Sequence, residues 1–505
     1  FRSLFDSTAV RANQILANGQ LAWMTPHESP WFVFEAPPEL KGVDAVEQWL
    51  KRCTEIAQLE LARSNFYSEI HELYLDRGAF GTALLYCEEG RKGPLRFEAW
   101  TVGSYSISED DEGYVDTVAR EYHLTVRQAA MAFGEENLSE EMRKIVQEND
   151  PKRLDQKFEF LHMIYPREPE EIDPTKADPL NMPFASVYID LKAKKVVKES
   201  GYRELPFFVT RFLKWGKAPY GWSPSWIALP EARQLNFLEM NLDALAETAA
   251  FPRLLIPNNY VNDVDMRAGG VTYFDPANPN AIPREWATSG RYDVGLDRAN
   301  RKAQAIEDAF HVDLFQMFAR QDKQMTATEV QERAAEKLIQ FSPTFARMTT
   351  ELFNPLLKRG FGLLLRGGYF PPVPQEAVVM DATGAYLPEP KVSYTSRIAM
   401  SIRALENLSF NRSMAMLMPL SQIRPDILDN YDFDRIARDS ARNDGVPAGW
   451  LLSKDQVDQI RQARAQAQAM QAQMEQAQML ADAASKAGRI DPTSAVGRAI
   501  EEGLG

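Results

Sequence analysis

Two short stretches of the sequence contain residue types that could work at a metal or a dinucleotide. His71 and Glu72 begin like the zinc-binding helix of a metalloprotease, but position 75, where the second histidine ligand would stand, is Leu. Gly360-Phe361-Gly362 lacks the third glycine of a dinucleotide-binding loop and follows a helical pattern. The simpler interpretation is a histidine on a helix surface in the first case and a helix C-terminus in the second.

An acidic run at Glu109–Gly113 could bind a cation, but it lies between two alternating segments, 104–108 and 114–119, as a hairpin turn does. The sequence contains no Gly-x-x-x-x-Gly-Lys-Ser/Thr loop, the strongest sign of a nucleotide hydrolase. Cys53 and Cys87 are the two cysteines, and with five scattered histidines they form no zinc spacing. We therefore expect no catalytic residue, cofactor or metal, although an enzyme with an unrecognised active site stays open.

The composition is that of a folded protein without a broadly basic surface. Of 505 residues, 45% are hydrophobic and 25% charged, so several substructures with packed cores are expected. The net charge of −14 argues against a protein that grips nucleic acid by neutralising many phosphates. We also expect no membrane-spanning segment and no export, because the start carries Arg2, Asp6 and Arg11 where a secretion signal is apolar.

The first 220 residues have the pattern of an α+β domain. Helical spacing runs from Asp44, a predicted N-cap, to about Leu75. Strand patterns follow, separated by turns rich in proline, at 81–86, 158–165, 185–190 and 207–212.

A pair of helices is predicted next, with an insert between them. Ser223 and Pro224 offer an N-cap and a first-turn proline for a helix to Ala249. Its apolar residues are spaced as in a seam between two helices, although a plain core helix fits equally well: Leu235, Leu238, Leu242 and Leu245. The proposed partner helix is 297–315, and the insert 251–296 contains five prolines.

Two further helical regions complete the chain. Capping boxes at Thr326 and Thr328 start a helix to about Arg366, in which Pro343 and Pro355 should each cause a bend. From 454 to 487, a glutamine-rich segment repeats small and apolar residues every seven positions, including Ile460, Met470 and Met474. Disorder is the alternative for this tract, but the repeat favours a rod that packs against copies of itself.

Three stretches make the sequence resemble the portal, or head-to-tail connector, proteins of short-tailed double-stranded DNA phages. They are Tyr74–Thr82, Ala218–Glu231 with Leu235-Asn236, and Gln324–Val330. Their order and spacing cover most of the chain to about residue 400, and beyond 450 the similarity is compositional. The resemblance implies a mainly helical α+β portal fold that assembles as a ring, usually of twelve copies.

The resemblance also implies a division into named parts. These are a wing (1–222 and 328–400), a stem of two helices (223–250 and 297–315), a clip (251–296), a channel loop (316–327), a crown (401–452), and a barrel helix with a tail (453–505). In this scheme the channel loop would present Arg320, Asp322, Lys323 and Gln324 to DNA. The clip would dock partners through Asn258, Asn259, Tyr260, Tyr273 and Trp286.

The implied function is a structural ring at one capsid vertex, through which DNA is packaged and ejected. Implied partners are further copies of the chain, double-stranded DNA, the terminase large subunit, tail adaptor or nozzle proteins, and capsid and scaffolding or internal core proteins, with no membrane. The implied location is the virion, after assembly in the host cytoplasm. Packing between copies would use the four leucines of the first stem helix and Ile460, Met470 and Met474. The alternatives are an enzyme, a sequence-reading DNA binder, or another ring-forming head-tail adaptor.

Overall fold

The chain divides into two compact units, Phe1–Leu405 and Glu406–Gly505. The computed structural model describes residues 4–90, 93–173, 176, 178–250, 254–256, 264–265, 284–285, 292–316, 327–381, 384–443, 450–452 and 454–487. Helices account for most of its regular structure, and the strands lie in the first unit.

Three helices and a short strand open the first unit: α1 (Thr8–Met24), β1 (Phe32–Glu35), α2 (Asp44–Arg63) and α3 (Phe66–Phe80). The single helix predicted from Asp44 to Leu75 is wrong, because the chain becomes extended at Ser64. Asn65 explains the break: its side-chain amide donates to the Phe97 carbonyl and its side-chain oxygen accepts from the Phe97 N–H, at 2.7 and 2.9 Å. Asp44 is also not the N-cap; Val43 holds that position and Asp44 is the first helical residue.

Two antiparallel sheets follow. One has the order β3-β2-β9, from β2 (Thr82–Glu88), β3 (Arg96–Trp100) and β9 (Phe207–Arg211). The other runs β4 to β8 in sequence: β4 (Tyr105–Glu109), β5 (Val115–Thr125), β6 (Lys157–Pro166), β7 (Phe184–Asp190) and β8 (Lys195–Tyr202). Helices α4 (Val126–Phe133), α5 (Glu140–Glu148) and α6 (Pro151–Leu154) lie between β5 and β6.

The hairpin turn predicted at Glu109–Gly113 is confirmed, because β4 and β5 pair across it and the Asp110 N–H donates to the Tyr114 carbonyl. The four predicted strand segments are confirmed as β2, β6, β7 and β9. The sequence analysis missed β8. Its sequence KVVKESGY is largely polar, which hides the apolar alternation that marks a half-buried strand.

The next part of the chain contains α7 (Pro224–Ala250), β10 (Leu254–Leu255), β11 (Arg284–Glu285), α8 (Tyr292–Ala309) and α9 (Val312–Gln316). Strands β10 and β11 pair antiparallel, which joins the two ends of the insert. The helix predicted over 297–315 is confirmed in position but is interrupted after Ala309. His311 has a left-handed backbone with φ of 54°, so α9 starts as a separate short helix.

A long helical stretch then crosses the unit as α10 (Ala327–Met348), a π-helical turn (Thr349–Phe353) and α11 (Asn354–Arg366). Pro343 lies inside α10, which continues past it. The change of helix type precedes Pro355, which has no N–H to donate to the carbonyl of Glu351. Before this turn, the Thr349 hydroxyl donates to the Phe345 carbonyl, and the Arg77 guanidinium donates to the Thr344 carbonyl.

The first unit ends with β12 (Val379–Asp381), β13 (Gly384–Tyr386) and β14 (Lys391–Tyr394), of which β14 pairs with β1. The main core of the first unit joins residues from α1, α2, α3, α7, α8, α10 and α11. The centre of this core is aromatic, with the rings of Trp31 and Phe66 stacked at 6.1 Å and that of Phe353 5.4 Å from Trp31.

The second unit contains most of α12 (Arg397–Ser421), α13 (Phe433–Asn443) and α14 (Lys454–Ala487). The rod predicted at 454–487 is confirmed as one helix. Its described side chains are exposed, apart from the partly buried Val457. The Arg461 guanidinium and the Asp434 carboxylate of α13 form an exposed ion pair.

Candidate functional site

Helices α7 and α8 flank residues 251–291. The start of α7 is held in place by a side-chain cap. Ser223 is fully buried, and its hydroxyl oxygen accepts a hydrogen bond of 3.1 Å from the Trp226 N–H. Pro224 follows in the first turn, where a missing N–H has no cost. The predicted cap is therefore confirmed, and such a cap contributes about 1 kcal/mol.

The leucine seam of α7 packs inside the chain. Leu235 and Leu242 are buried in the same cluster as Ala299 and Ile306 of α8. Gly295 allows the close approach, because a β-carbon there would lie 2.7 Å from Cδ2 of Leu242. Leu235 and Leu242 are buried and leave little surface for a second copy. Leu238 and Leu245 are only partly buried.

A buried ion network fixes the chain just before α7. Arg211 donates from Nε and Nη2 to the Glu351 carboxylate, at 3.0 and 2.6 Å, and from Nη1 to Glu109. Lys214 donates to Glu109 at 2.5 Å, and Arg347 pairs with Glu351 at 3.1 Å. The network thus ties β9 to the β4–β5 hairpin on one side and to the π-helical turn on the other.

Arg77 of α3 lies beside this network, fully buried. Its Nη2 reaches the carbonyls of Arg211 and Thr344, at 3.3 and 3.5 Å, and its guanidinium lies 4.8 Å from the centre of the Phe212 ring. Burial lowers the pKa of Arg77 to about 9, partly offset by the nearby Glu351 charge. Tyr74–Thr82, the first of the family-like stretches, therefore has a packing role here.

Within the described ranges, His162 and Ser186 form a close pair of a base and a hydroxyl, and this pair is enclosed. Nε2 of His162 lies 2.9 Å from the Ser186 hydroxyl, and its ring stacks on Tyr188 at 3.9 Å. Burial lowers the pKa of His162 to about 3, with help from the positive charges of Arg120 and Lys198. A serine nucleophile needs an open approach for its substrate, which this buried pair does not offer.

The cysteines and acidic side chains offer no better candidate. Burial raises the pKa of both Cys53 and Cys87 to about 12, so the thiols stay protonated near neutral pH. Among the described residues no group of His, Cys, Asp and Glu could hold a metal ion. His71 lies on α3, as predicted, and contacts the Asn18 side chain at 2.8 Å.

A cleft of about 730 Å³ in the first unit is lined in part by Glu88, Arg203, Arg359 and Arg366. Arg359 is occupied with structure, since it donates to the carbonyls of Cys87 and Glu204 at 2.9 and 3.0 Å. No serine, cysteine or histidine is present in the described part of the lining. Among the described lining residues the cleft therefore offers no serine or cysteine nucleophile with a histidine base.

Most of the predicted site residues fall outside the described residues. This holds for the channel-loop set Arg320, Asp322, Lys323 and Gln324, and for the clip set Asn258, Asn259, Tyr260, Tyr273 and Trp286. Ile460, Met470 and Met474 are exposed on α14. The sequence analysis missed the exposed apolar residues Trp226, Phe237 and Met240 of α7, which do not follow the regular spacing of the leucines.

No helix in the described ranges is long and apolar enough to span a bilayer.

The chain is similar to known phage proteins along nearly its whole length. The family model described as "Bacteriophage head to tail connecting protein" matches residues 1–452. A "Probable portal protein" of Bordetella phage BPP-1 is 33% identical over 500 residues, which cover 97% of this chain and 87% of the relative. A "Portal protein" of Salmonella phage epsilon15 is 28% identical over 478 residues, covering 93% and 84%. The chain therefore belongs to the family of bacteriophage head-to-tail connecting proteins.

Proposed function

We propose that copies of this chain form a closed ring at one capsid vertex, through which double-stranded DNA enters and leaves. The observation that carries the proposal is the family match over residues 1–452, together with portal relatives that align over more than nine tenths of the chain. A connector between head and tail is a structural part of the virion. Catalysis is not part of the proposed role.

Two features of the structure support a ring. Helices α7 and α8 form a packed pair that flanks an insert, the arrangement proposed for stem and clip. Helix α14 exposes its seven-residue repeat along its described length, so a neighbour is needed to cover it. Contacts between different faces of identical copies close into a ring when the rotation between copies fits.

The proposed partners follow from the same role. The insert 251–296 would dock the terminase large subunit during packaging and tail adaptor or nozzle proteins afterwards, while the body would contact capsid and scaffolding or internal core proteins. In the loop 316–327, Arg320 and Lys323 would touch DNA phosphates transiently. Asp322 between them, and the net charge of −14, would keep that grip weak enough for DNA to slide.

Imaging of the purified protein tests the proposal. Negative-stain micrographs should show rings with a central hole, and native mass spectrometry should give a mass of roughly 690 kDa if twelve copies of 57.2 kDa assemble. Monomers alone at micromolar concentration, across several salt conditions, would contradict it. ATP turnover that stays with the ring through further purification would show that an enzymatic role had been missed.

A further inference from the structure

One cleft of the first unit is large enough to hold a small molecule. It is the cleft lined in part by Glu88, Arg203, Arg359 and Arg366, and its volume of about 730 Å³ lies within the range of roughly 300–1,000 Å³ for ligand pockets. Three elements surround it: the end of strand β2, the end of strand β8 with the residue after it, and the C-terminal half of helix α11. A molecule in the cleft would therefore touch parts of the chain that are far apart in the sequence.

Arg359 supplies a buried guanidinium whose hydrogen bonds are incomplete. The residue is 3% exposed. Its Nε and Nη1 donate to the backbone carbonyls of Cys87 and Glu204, which fixes the plane of the group. Nη2 has no hydrogen-bond partner among the described residues, and it belongs to a side chain that lines the cleft. Nη2 is therefore an oriented donor for an acceptor in the cleft.

Positive charge is in excess beside Arg359. Arg366 donates to both carboxylate oxygens of Glu204, at 2.5 and 2.8 Å, and Nη1 of Arg359 lies 3.5 Å from the same carboxylate. Two guanidinium groups thus share one carboxylate. Arg203 also lines the cleft, is exposed, and forms no ion pair with a described residue. This arrangement favours an anionic ligand.

The negative groups around the cleft do not cancel this excess. Glu88 pairs with Arg96 at 2.5 Å, so its charge is already compensated. Its neighbour Glu89 is exposed and opposes a single positive charge. Three carbonyls in the last turn of α11 accept the backbone N–H groups of residues 367–369, which lessens the negative charge of the helix C-terminus.

Tyrosine rings form much of the apolar wall. The Tyr202 ring lies with its centre 5.1 Å from the guanidinium carbon of Arg359, and its hydroxyl is 2.6 Å from that of Tyr86, which holds the ring in place. Tyr369 and Leu363 line the cleft near the end of α11. An oriented arginine beside aromatic and apolar side chains suits a ligand with an anionic group and an apolar part.

We propose that this cleft binds a small organic molecule that carries an oxyanion, either a phosphate or a carboxylate group. Nη2 of Arg359 and the guanidinium of Arg203 hold the oxyanion, since arginine binds both kinds of group through charge-assisted hydrogen bonds. Tyr202 and Tyr369 contact the apolar part. The bound anion links α11 to the end of β8, so the ligand should stabilise the first unit. The inference does not depend on assembly of the ring.

The first test measures thermal unfolding of the full chain with phenyl phosphate, with benzoate and with the neutral benzyl alcohol, at constant ionic strength. The unfolding midpoint should rise with the concentration of at least one anion and stay unchanged with benzyl alcohol, because a ligand that binds the folded chain stabilises it. The anion with the larger shift shows whether the site takes a phosphate or a carboxylate. Equal shifts with all three probes, or no shift with either anion at millimolar concentration, would overturn the proposal.

Substitutions show whether the effect arises in the cleft. Arg203→Gln removes an exposed charge without a described ion pair, so the fold should persist, while the apparent dissociation constant of the anion should rise by about 10-fold or more. Glu89→Gln removes the opposing charge and should lower that constant by a few-fold. The matched control, Lys144→Gln, removes an exposed positive charge on α5 and should bind like the wild type. An unchanged dissociation constant in Arg203→Gln would refute this site while leaving the proposed function standing.

Discussion

Helix α7 of the first unit and helix α14 of the second both expose apolar side chains, but they are held in different ways. Helix α7 has one face packed on α8, a buried cap at Ser223, and a buried ion network just before it. In α14, every described side chain except Val457 is exposed. The conformation of α7 is thus fixed within the single chain, whereas the described part of α14 has little tertiary packing of its own.

This difference separates two kinds of assembly surface. A helix held by its own chain offers a preformed surface, so binding orders few side chains. A long helix without packing depends on intrinsic propensity, and most helical stability in proteins comes from packing of an apolar face. We expect α7, with its exposed Trp226, Phe237 and Met240, to keep its conformation in the free subunit, and α14 to gain stability from neighbouring copies. The predictions below test this contrast.

The largest effect is expected from Glu351→Ala in the ion network before α7. The change leaves Arg211 buried with fewer compensating carboxylate oxygens, which should lower the free energy of unfolding of the first unit by about 3–5 kcal/mol. Urea unfolding followed by tryptophan fluorescence measures it. Asp155→Ala, which breaks the exposed pair with Arg127, is the control and should cost less than about 1 kcal/mol.

The two faces of α7 should respond differently to the same truncation. Leu242→Ala leaves a cavity against α8 and should cost about 3 kcal/mol, while Met240→Ala on the exposed face should cost less than about 0.5 kcal/mol in the free subunit. Chemical unfolding at a concentration below assembly compares the two. Equal losses in both variants would mean that the seam with α8 does not hold α7.

A pH-dependent effect is expected from His162, within the first unit. Its pKa of about 3 in the folded chain lies below the value of 6.5 for a free side chain, so protons bind the unfolded chain first as the pH falls. Stability should therefore fall between pH 6.5 and about 3, with a contribution from this residue of about 2 kcal/mol at pH 5. In His162→Gln, the loss of stability between pH 7 and pH 5 should shrink by that amount. An unchanged slope would show that His162 is hydrated in the folded protein.

The smallest effect on the first unit is expected from Ala467→Pro in the middle of α14. The substitution should cost about 3 kcal/mol locally and reduce the helical circular dichroism signal. The unfolding midpoint of the first unit should not move, because the change lies in the second unit. Ala467→Ser serves as the control. A shifted midpoint in the proline variant alone would show that the two units unfold together.

The sequence was most informative where the pattern of a segment is set by its own residues. The helices at 224–250 and 454–487, the β4–β5 turn and the cap at Ser223 all follow from local spacing and turn chemistry. It failed at Asn65, where the helix breaks because the side chain binds the distant Phe97 backbone. It also missed the network around Arg211, since the chain distance to Glu351 is 140 residues and no local pattern records such a pair.

The sequence correctly identified α7 as a packing helix, and its leucine face was predicted to form contacts between copies. Spacing shows that Leu235 and Leu242 share a face, and cannot show whether α8 or a second copy covers them. Trp226, Phe237 and Met240 are exposed on α7 without the regular spacing of the leucines, so no periodic signal marked them. Which side of α7 faces inward depends on the tertiary fold.

Gly81 and Gly221 allow the backbone just before α7 to lie directly against the backbone before strand β2. A β-carbon on Gly81 would lie 2.5 Å from the Trp222 carbonyl carbon, and one on Gly221 would clash with the Gly81 carbonyl oxygen. Main chain therefore rests on main chain here, and the Gly221 N–H donates to the Thr82 hydroxyl at 2.7 Å. Side chains can change rotamer when neighbouring elements shift, whereas backbone atoms in direct contact cannot move aside in this way. A displacement of the start of α7 is therefore expected to move strand β2 with it, because no flexible side chain separates the two backbones.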